Sequence, residues 1–436
     1  MRILDLKSKL LLGRLLTRSG DQAWDFAVPL VLLKLFPDQL RIAAFYYFLV
    51  RLAGVLILPK LASQIDRMNR FSAAKLGIFL QLVGVILGAA SIAGFYFVIH
   101  GELAAPLAIL FISLVFGGIL ANLGSTFMDI AIANDLVPSG LAEAELTSFN
   151  SRLRQVDLLT EVGAPVIAGL LLLVDQPNLL AGFILIALWN VVSFFPELVL
   201  LKSVFNERPD LITKKVQTSE QAKTALWSKL THGWRAFFRE PIALAALAYS
   251  ILWLSVLSPH GVLLTAYLKD GWQLPEWAIG AFRGGGAFFG LIATAIFPWA
   301  IRRWGLLNGT RNFIIYQTAT VLIALAFFFS GGIAGQVGFL VFILLSRVGL
   351  YGFSLGETQI RQVGISPETR GEVNGFASAL TGIATLVLYG AGALLPSTQD
   401  FQFLVIGSAL FVALACAVYL VWLRVVRSDP KISVFS

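Results

Sequence analysis

Long apolar segments dominate the hydropathy pattern of this 436-residue chain. A helix that crosses a membrane needs about 20 mostly apolar residues, and twelve segments meet that requirement. They lie at roughly 10–35, 42–61, 71–99, 103–133, 146–174, 178–203, 241–268, 276–304, 312–330, 336–360, 372–396 and 401–424. Apolar and polar residues do not alternate within them, so the pattern predicts an all-α membrane protein and excludes a membrane β-barrel.

One polar stretch, 204–240, divides the twelve predicted spans into two sets of six. We therefore expect an N-lobe at 1–203, a linker at 204–240 and a C-lobe at 241–436. Within the linker, the segment 224–238 places Trp227, Leu230, Trp234 and Phe238 at helical spacing with basic residues between them. This pattern predicts an amphipathic helix on the membrane surface; a helix that binds a calmodulin-like partner is the alternative.

The composition agrees with a membrane protein. Hydrophobic residues make up 57% of the chain and charged residues 13%, whereas soluble domains carry about 25% charged residues. We therefore exclude a cytosolic enzyme, a disordered protein and a nucleic-acid-binding module. The single cysteine, Cys416, excludes a disulfide framework and a thiolate zinc cluster. No catalytic His/Asp or Ser/His pair and no phosphate-binding loop lies at a predicted membrane surface, so no enzymatic activity is expected.

Basic residues indicate the orientation of the spans, because cytoplasmic loops carry an excess of lysine and arginine. The N-terminal segment, the loop after span 2, the linker and the C-terminal segment are rich in them, and the net charge is +8. The opposite loops hold only Lys34, Arg41 and Lys269. Both termini and the linker are therefore expected in the cytoplasm, which agrees with an even number of spans.

An acidic–basic motif occupies the loop after span 2, which reads SQIDRMNR and contains Asp66, Arg67 and Arg70. The equivalent loop of the second half reads IRRWGL. Such charges can pair with helix ends, and ordinary positive-inside charge is the alternative. Together with two sets of six spans, the motif resembles the major facilitator superfamily, in which two halves rock around a site at the membrane midplane.

Charged residues inside span 1 need a reason, because a charge in hydrocarbon costs several kcal/mol. Asp21 and Asp25 are four residues apart and share a helix face, with Thr17 one turn before Asp21. Two carboxylates and a hydroxyl on one face indicate a site for a hard cation or a proton. Ion pairing of these carboxylates with Arg18 or Arg51 is the alternative.

Span 6 carries a polar stripe on an otherwise apolar helix. Asn190, Ser193 and Glu197 lie on one face, and Pro196 frees backbone carbonyls one turn earlier. Gln81, near the middle of span 3, adds another neutral oxygen. These oxygen donors indicate a cation site, and hydrogen bonding between helices is the alternative.

Span 7 is interrupted in its middle by Ser258-Pro259-His260-Gly261. Broken helices at the membrane midplane mark substrate sites in transporters. The imidazole of His260 is a ligand for transition metals and titrates near physiological pH. A histidine that is hydrogen-bonded between helices is the alternative.

Several longer motifs cover nearly all the spans. They read SGDQAWDFAVPLVLLKL in span 1, RLRQVDLLTEVGAP in span 5, WNVVSFFPELVLL in span 6, and LYGFSLGETQIRQ with GEVNGF around spans 10 and 11. Together they resemble the ferroportin family, in a bacterial form. The resemblance implies a divalent-iron exporter of the facilitator fold, with one metal site in each half, proton antiport and a calcium requirement.

The resemblance also implies roles for individual residues. The first-half metal ligands would be Thr17, Asp21, Asn190, Ser193 and the Phe194 region. The calcium ligands would be Asp21, Gln81, Asn190 and Glu197. The cytoplasmic gate would contain Arg70, Asp135, Asn150, Arg154 and Asp157, with Arg154 and Asp157 able to pair on one helix face. The second site departs from the animal pattern, because Pro259-His260 replaces an Asp-Cys pair, and we expect it around His260 with Thr385.

The sequence therefore predicts an exporter of Fe²⁺ that works by alternating access with proton exchange and binds Ca²⁺ without transporting it. Co²⁺, Ni²⁺, Zn²⁺ and Mn²⁺ are further expected substrates. We expect a monomer in the bacterial inner membrane, with the lipid bilayer, protons and the metal as its partners and no nucleic acid. The alternative is a multidrug or small-solute proton antiporter of the same fold, which would have a wide aromatic cavity and no ion-specific cluster.

Overall fold

The computed structural model describes residues 5–36, 40–101, 106–175, 178–212, 234, 237–259, 261–274, 276–394 and 400–428. The regular structure in these ranges is helical, with no strand. Most of the predicted amphipathic helix at 224–238, and His260, lie outside the described residues.

Six helices form the first half of the described chain. They are α1 (Leu6–Leu35), α2 (Leu40–Ala62), α3 (Arg70–Ile99), α4 (Leu107–Met128), α5 (Glu143–Leu172) and α6 (Leu180–Glu207). Side chains cap two of them: Asp5 accepts from the Ser8 amide at 3.0 Å, and Asn69 from the Ser72 amide at 2.7 Å. After α4 the chain continues without a break into a π-helical segment, Asp129–Leu136, and a short α-helical turn, Val137–Gly140.

In the second half, one span is interrupted and one long helix contains two spans. Its elements are α7 (Ala243–Leu252), α8 (Val262–Ala266), α9 (Glu276–Ser330), α10 (Gly332–Gly364), α11 (Arg370–Leu394) and α12 (Phe401–Ser428). The 55-residue α9 contains Gly305 with φ 74°, a left-handed conformation that suits glycine and separates two spans. The interruption between α7 and α8 includes residues 258, 259 and 261 of the predicted break and begins earlier, at Trp253.

The helices agree with twelve spans. Within the described ranges, nine helices are long and apolar enough to cross a membrane. One of these contains both spans of α9. The 30-residue α1 is long enough but carries charges such as Arg14 and Asp21, and α7 with α8 forms a broken span. The fold is therefore an all-α, multi-pass membrane protein, as predicted.

The chain divides into two compact units. The first contains Met1–Gly140, Val156–Ser219 and Pro367–Gly375. The second contains Leu141–Gln155, Glu220–Ser366 and Phe376–Ser436. The start of α5 therefore belongs to the second unit, and the start of α11 belongs to the first.

Close helix packing positions α3 against α4 in the first unit. A Cβ at Gly84 would lie 2.5 Å from the Gly117 carbonyl oxygen, and one at Gly124 would lie 2.7 Å from the Gln81 amide nitrogen. Only glycine permits this approach, which is how small residues let membrane helices pack. The result is that Gln81 lies directly against α4.

Candidate functional site

Glycines on α1 bring this helix against the polar stripe of α6. A Cβ at Gly20 would lie 3.0 Å from three atoms of Asn190, namely Cα, Cγ and Oδ1. About two turns earlier, a Cβ at Gly13 would lie 3.5 Å from Cγ of Glu197. The two helices therefore meet along the face that carries both polar residues of α6.

Asp21 connects α1 to α4. The hydroxyl of Ser125 donates a 2.8 Å hydrogen bond to Oδ2 of Asp21. Ser125 follows Gly124, the residue that packs against Gln81 of α3. Asp21 is also close enough to Glu197 for their charges to interact. These contacts bring the four predicted calcium ligands, on α1, α3 and α6, to one region of the first unit.

Several polar atoms in this region are buried and have no hydrogen-bond partner. They are Oε1 of Gln81, Oδ1 and Nδ2 of Asn190, and Oε2 of Glu197. Gln81 and Asn190 are 0% exposed and Glu197 is 6% exposed. An unsatisfied buried polar group costs about 1–3 kcal/mol, so a cation or water bound to these oxygens would stabilise this region. Carboxylate and amide oxygens are the ligands of hard cations such as Ca²⁺, and the residues fit that ion.

The remaining predicted first-half ligands are buried beside these residues. The hydroxyl of Thr17 donates to the Gly13 carbonyl at 3.2 Å, and that of Ser193 to the Asn190 carbonyl at 2.7 Å. Phe194 is buried next to Ser193. Among the residues with described placement, no three His, Cys, Asp or Glu side chains converge on a metal position, so any site here depends on amide and hydroxyl oxygens.

Asp25 is exposed within the chain. Tyr47 donates a 2.9 Å hydrogen bond to its backbone carbonyl. Ion pairing of its carboxylate with Arg18 or Arg51 stays an alternative.

Four charged side chains, which we call the charge square, lie next to this region. Arg14 contacts Asp157 at 2.7 and 3.1 Å and also pairs with Asp129. Arg18 lies 3.4 Å from Asp129 and 3.6 Å from Asp157. Each arginine thus contacts both aspartates. The guanidinium of Arg154 lies 4.7 Å from the centre of the Tyr351 ring, and its pairing with Asp157 stays a prediction.

The predicted gate residues Arg70 and Asp135 form a buried ion pair in the first unit, with contacts of 3.1 and 3.3 Å. Arg70 also donates to the Leu211 carbonyl at 3.0 Å and to Ser139 at 2.9 Å. Nearby, Asp66 of the loop motif accepts from the amides of Gly371 and Glu372, each at 2.8 Å. The carboxylate thus caps the start of α11, where the helix dipole favours negative charge.

The other gate residues lie in the second unit. Asn150 and Gln362 exchange two amide hydrogen bonds, of 2.6 and 3.2 Å. One turn earlier on both helices, Thr147 donates to Gln359 at 2.9 Å. These bonds join the start of α5 to α10 without charged groups. Among the described contacts, Arg70 pairs with Asp135 in the first unit and Asn150 pairs with Gln362 in the second.

Side chains from two helices hold the backbone of the broken span 7. Arg347 of α10 donates a 2.6 Å hydrogen bond to the Leu257 carbonyl, and Ser408 of α12 accepts from the Val256 amide at 2.9 Å. Irregular backbone is tolerated in membrane proteins where such partners satisfy it. Thr385, the expected second-site residue on α11, donates to the Thr381 carbonyl at 2.9 Å.

Sequence reasoning missed several residues that structure this region. Ser125 contacts Asp21 and Arg14 contacts Asp157, each from a helix far away in sequence, and Asp129 contacts Arg14. Their own signals are an isolated serine and charges near span ends. Only the packing of α1 against α4 and α5 distinguishes them.

The described residues form the helices of a multi-pass membrane protein in which span 7 is broken. The major facilitator superfamily transporter FucP has the same fold, with a TM-score of 0.64 over 96% of this chain and 97% of that chain at 15% identity. The family model described as Ferroportin1 (FPN1) matches residues 5–412. The chain belongs to the ferroportin family.

Relatives match along almost the whole chain. Ferreportin of Bdellovibrio bacteriovorus is 47% identical over 96% of this chain and 95% of its own length. Human ferroportin is 23% identical over 95% of this chain and 90% of its own length. A crystal structure of a bacterial homologue of the iron transporter ferroportin, in an outward-facing state, has a TM-score of 0.88 and 46% identity, covering 96% of this chain and 99% of that chain.

Proposed function

We propose that this protein exports divalent transition metal, Fe²⁺ foremost, by alternating access with proton exchange. The observation that carries the proposal is the group of buried, unpaired oxygens on Gln81, Asn190 and Glu197 beside Asp21. The crystallised protein is a bacterial homologue of the iron transporter ferroportin, and a second structure of such a homologue has soaked iron; both support iron as the substrate. Co²⁺, Ni²⁺, Zn²⁺ and Mn²⁺ are proposed as further substrates.

Transition metal would bind once in each half of the chain. In the first half, Asp21 supplies the carboxylate, and the amide and hydroxyl oxygens of Thr17, Asn190 and Ser193 complete the set near Phe194. In the second half we propose His260 with Thr385. Imidazole favours Fe²⁺, Co²⁺, Ni²⁺ and Zn²⁺ over Ca²⁺, and a protonated imidazole cannot coordinate. Protons therefore compete with metal at His260, which provides a route to exchange.

Calcium would bind to the first half and stay there. Asp21, Gln81, Asn190 and Glu197 offer two carboxylates and two amides, which with water suit Ca²⁺ at about 2.3–2.6 Å. Asp21 and Asn190 also belong to the proposed transition-metal set. The two ions therefore exclude one another, or they bind in different conformations.

Alternating access would move the proposed lobes, 1–203 and 241–436, about the midplane sites, with the linker 204–240 between them. The pair Arg70–Asp135, the amide of Asn150 and the side chains of Arg154 and Asp157 would close the cytoplasmic side. We propose a monomer in the bacterial inner membrane with both termini in the cytoplasm, because the basic loops lie on that side.

Metal flux in proteoliposomes tests the proposal. Purified full-length protein is reconstituted, and Fe²⁺ or Co²⁺ flux is followed with a trapped metal-quenched dye, with a cationic drug as the competing substrate. We expect metal flux that is lost in Asp21→Ala, while the variant remains folded by circular dichroism. Drug flux without metal flux, or normal metal flux in Asp21→Ala, would instead support the multidrug antiporter of the same fold.

A further inference from the structure

The two arginines of the charge square are bound unequally. Arg14 contacts Asp157 through two nitrogens, at 2.7 and 3.1 Å, and Asp129 through a third. Arg18 reaches Asp129 only at 3.4 Å and Asp157 at 3.6 Å. Its Nε is buried and has no hydrogen-bond partner. Arg14 therefore fixes both aspartates, whereas Arg18 is held loosely.

Arg18 is the member of the charge square that lies nearest to Asp21 along α1. It precedes Asp21 by three residues, so the two side chains share a helix face. Ser125 and Asp129 are four residues apart on the facing helix. They contact Asp21 and Arg18 respectively. Arg18 thus has two carboxylates on its side of α1: Asp129, which it contacts, and Asp21, about one turn further along the helix.

We propose that Arg18 is the resident counter-ion of the first-half site: it neutralises Asp21 when no metal is bound and returns to the charge square when metal arrives. The inference rests on the proposed function. A carboxylate buried without a counter-charge is costly, yet a transporter must also move its empty site across the membrane. A guanidinium is permanently charged and weakly hydrated, so it can take the place of the departed cation.

The exchange makes Arg18 a competitor of the metal. Each divalent ion that binds Asp21 must first displace the guanidinium, which lowers the observed affinity. When metal binds, Arg18 leaves Asp21 and pairs with Asp129 and Asp157, which Arg14 holds in place. Coupling of this kind is typically about 5–150-fold in affinity.

Metal affinity tests the competition directly. Calorimetry with Co²⁺ on the purified full-length protein compares wild type, Arg18→Gln, Arg18→Lys and a control, Arg208→Gln, which removes an exposed arginine that pairs with Asp210. We expect Arg18→Gln to bind Co²⁺ about tenfold more tightly, in the lower part of that range. Arg18→Lys should return toward wild type because it keeps the charge, and Arg208→Gln should match wild type.

Transport provides a readout that a purely structural role would not change. With metal on both sides of the vesicle, Arg18→Gln should support metal–metal exchange, because the loaded site needs no counter-ion. Net efflux into metal-free buffer should be about tenfold slower, since the empty Asp21 then lacks compensation. Unchanged or weaker Co²⁺ affinity, or equal loss of exchange and net efflux, overturns the proposal.

Two further variants keep the outcome decisive. If Arg18→Gln does not fold, the double variant Arg18→Gln/Asp129→Asn restores charge balance, and the same tighter Co²⁺ binding is expected from it. Asp21→Ala separates the two proposals. Wild-type Co²⁺ binding in Asp21→Ala refutes the metal site itself, whereas loss of binding there with unchanged affinity in Arg18→Gln refutes only the role of Arg18.

Discussion

Replacing Gly20 with alanine should weaken cation binding to the first half without unfolding the protein. The added Cβ would lie 3.0 Å from Cα, Cγ and Oδ1 of Asn190, whereas carbon atoms pack at about 3.5–4.0 Å. Helices α1 and α6 must therefore separate by about 0.5–1 Å, which is more than the roughly 0.2 Å that metal–ligand distances tolerate. Asp21 and Asn190 would then no longer reach one ion together.

The magnitude follows from two opposing effects. Alanine is favoured over glycine in a helix by about 0.8–1.0 kcal/mol, while overpacking costs about 1–3 kcal/mol. The added methyl group crowds Asn190, which is a proposed ligand. If the cost of this overpacking reduces the free energy of binding, the affinity for Ca²⁺ drops about 5–150-fold. Melting temperature should change little, because the two effects on stability largely cancel.

Calorimetry with Ca²⁺ measures the loss, and Gly163→Ala is the matched control. Gly163 also lies within a membrane helix, α5, but a Cβ there would meet nothing within 4 Å. The control should bind Ca²⁺ as wild type does. Affinity in Gly20→Ala within twofold of wild type would show that the close approach of α1 to α6 is not needed for binding.

Three further outcomes are expected. Asp21→Ala should abolish Co²⁺ flux in proteoliposomes while the circular dichroism spectrum is kept; near-normal flux would return Asp21 to a purely structural ion pair. The double variant Asn190→Ala/Glu197→Gln should lose Ca²⁺ binding by calorimetry, and equal affinity would disprove the calcium assignment. His260→Ala should weaken Ni²⁺ binding, spare Ca²⁺ binding and flatten transport between about pH 5.5 and 7.5. Neutral imidazole binds metal and the protonated form does not, with an unperturbed pKa of about 6.5, so an unchanged pH profile would exclude His260 as the proton-sensitive ligand.

The sequence predicted features that depend on local spacing. Apolar run length identified the spans, and the Pro259–Gly261 region located the break in span 7. The i, i+3 and i+7 spacing of Asn190, Ser193 and Glu197 placed them on one buried face, as the structure has them.

Long-range partners could not be predicted in this way. Asp157, for example, contacts Arg14, 143 residues earlier, and no local spacing indicates that pair. The role of Gly20 was equally hidden, because its distance from Asn190 depends on helix packing and leaves no local pattern. The break in span 7 also begins before its proline, where Arg347 and Ser408 replace helical hydrogen bonds.

The π-helical segment Asp129–Leu136 has a consequence for the tolerance of this region to insertions and deletions. It contributes Asp129 to one ion-pair group and Asp135 to another, so its winding sets the angle between the two carboxylates. Loss of one residue would rotate everything beyond it by about 100° relative to α4. Asp135 would then turn away from Arg70 while Asp129 stayed with Arg14. We therefore expect this segment to tolerate substitution of its apolar residues better than any change in its length.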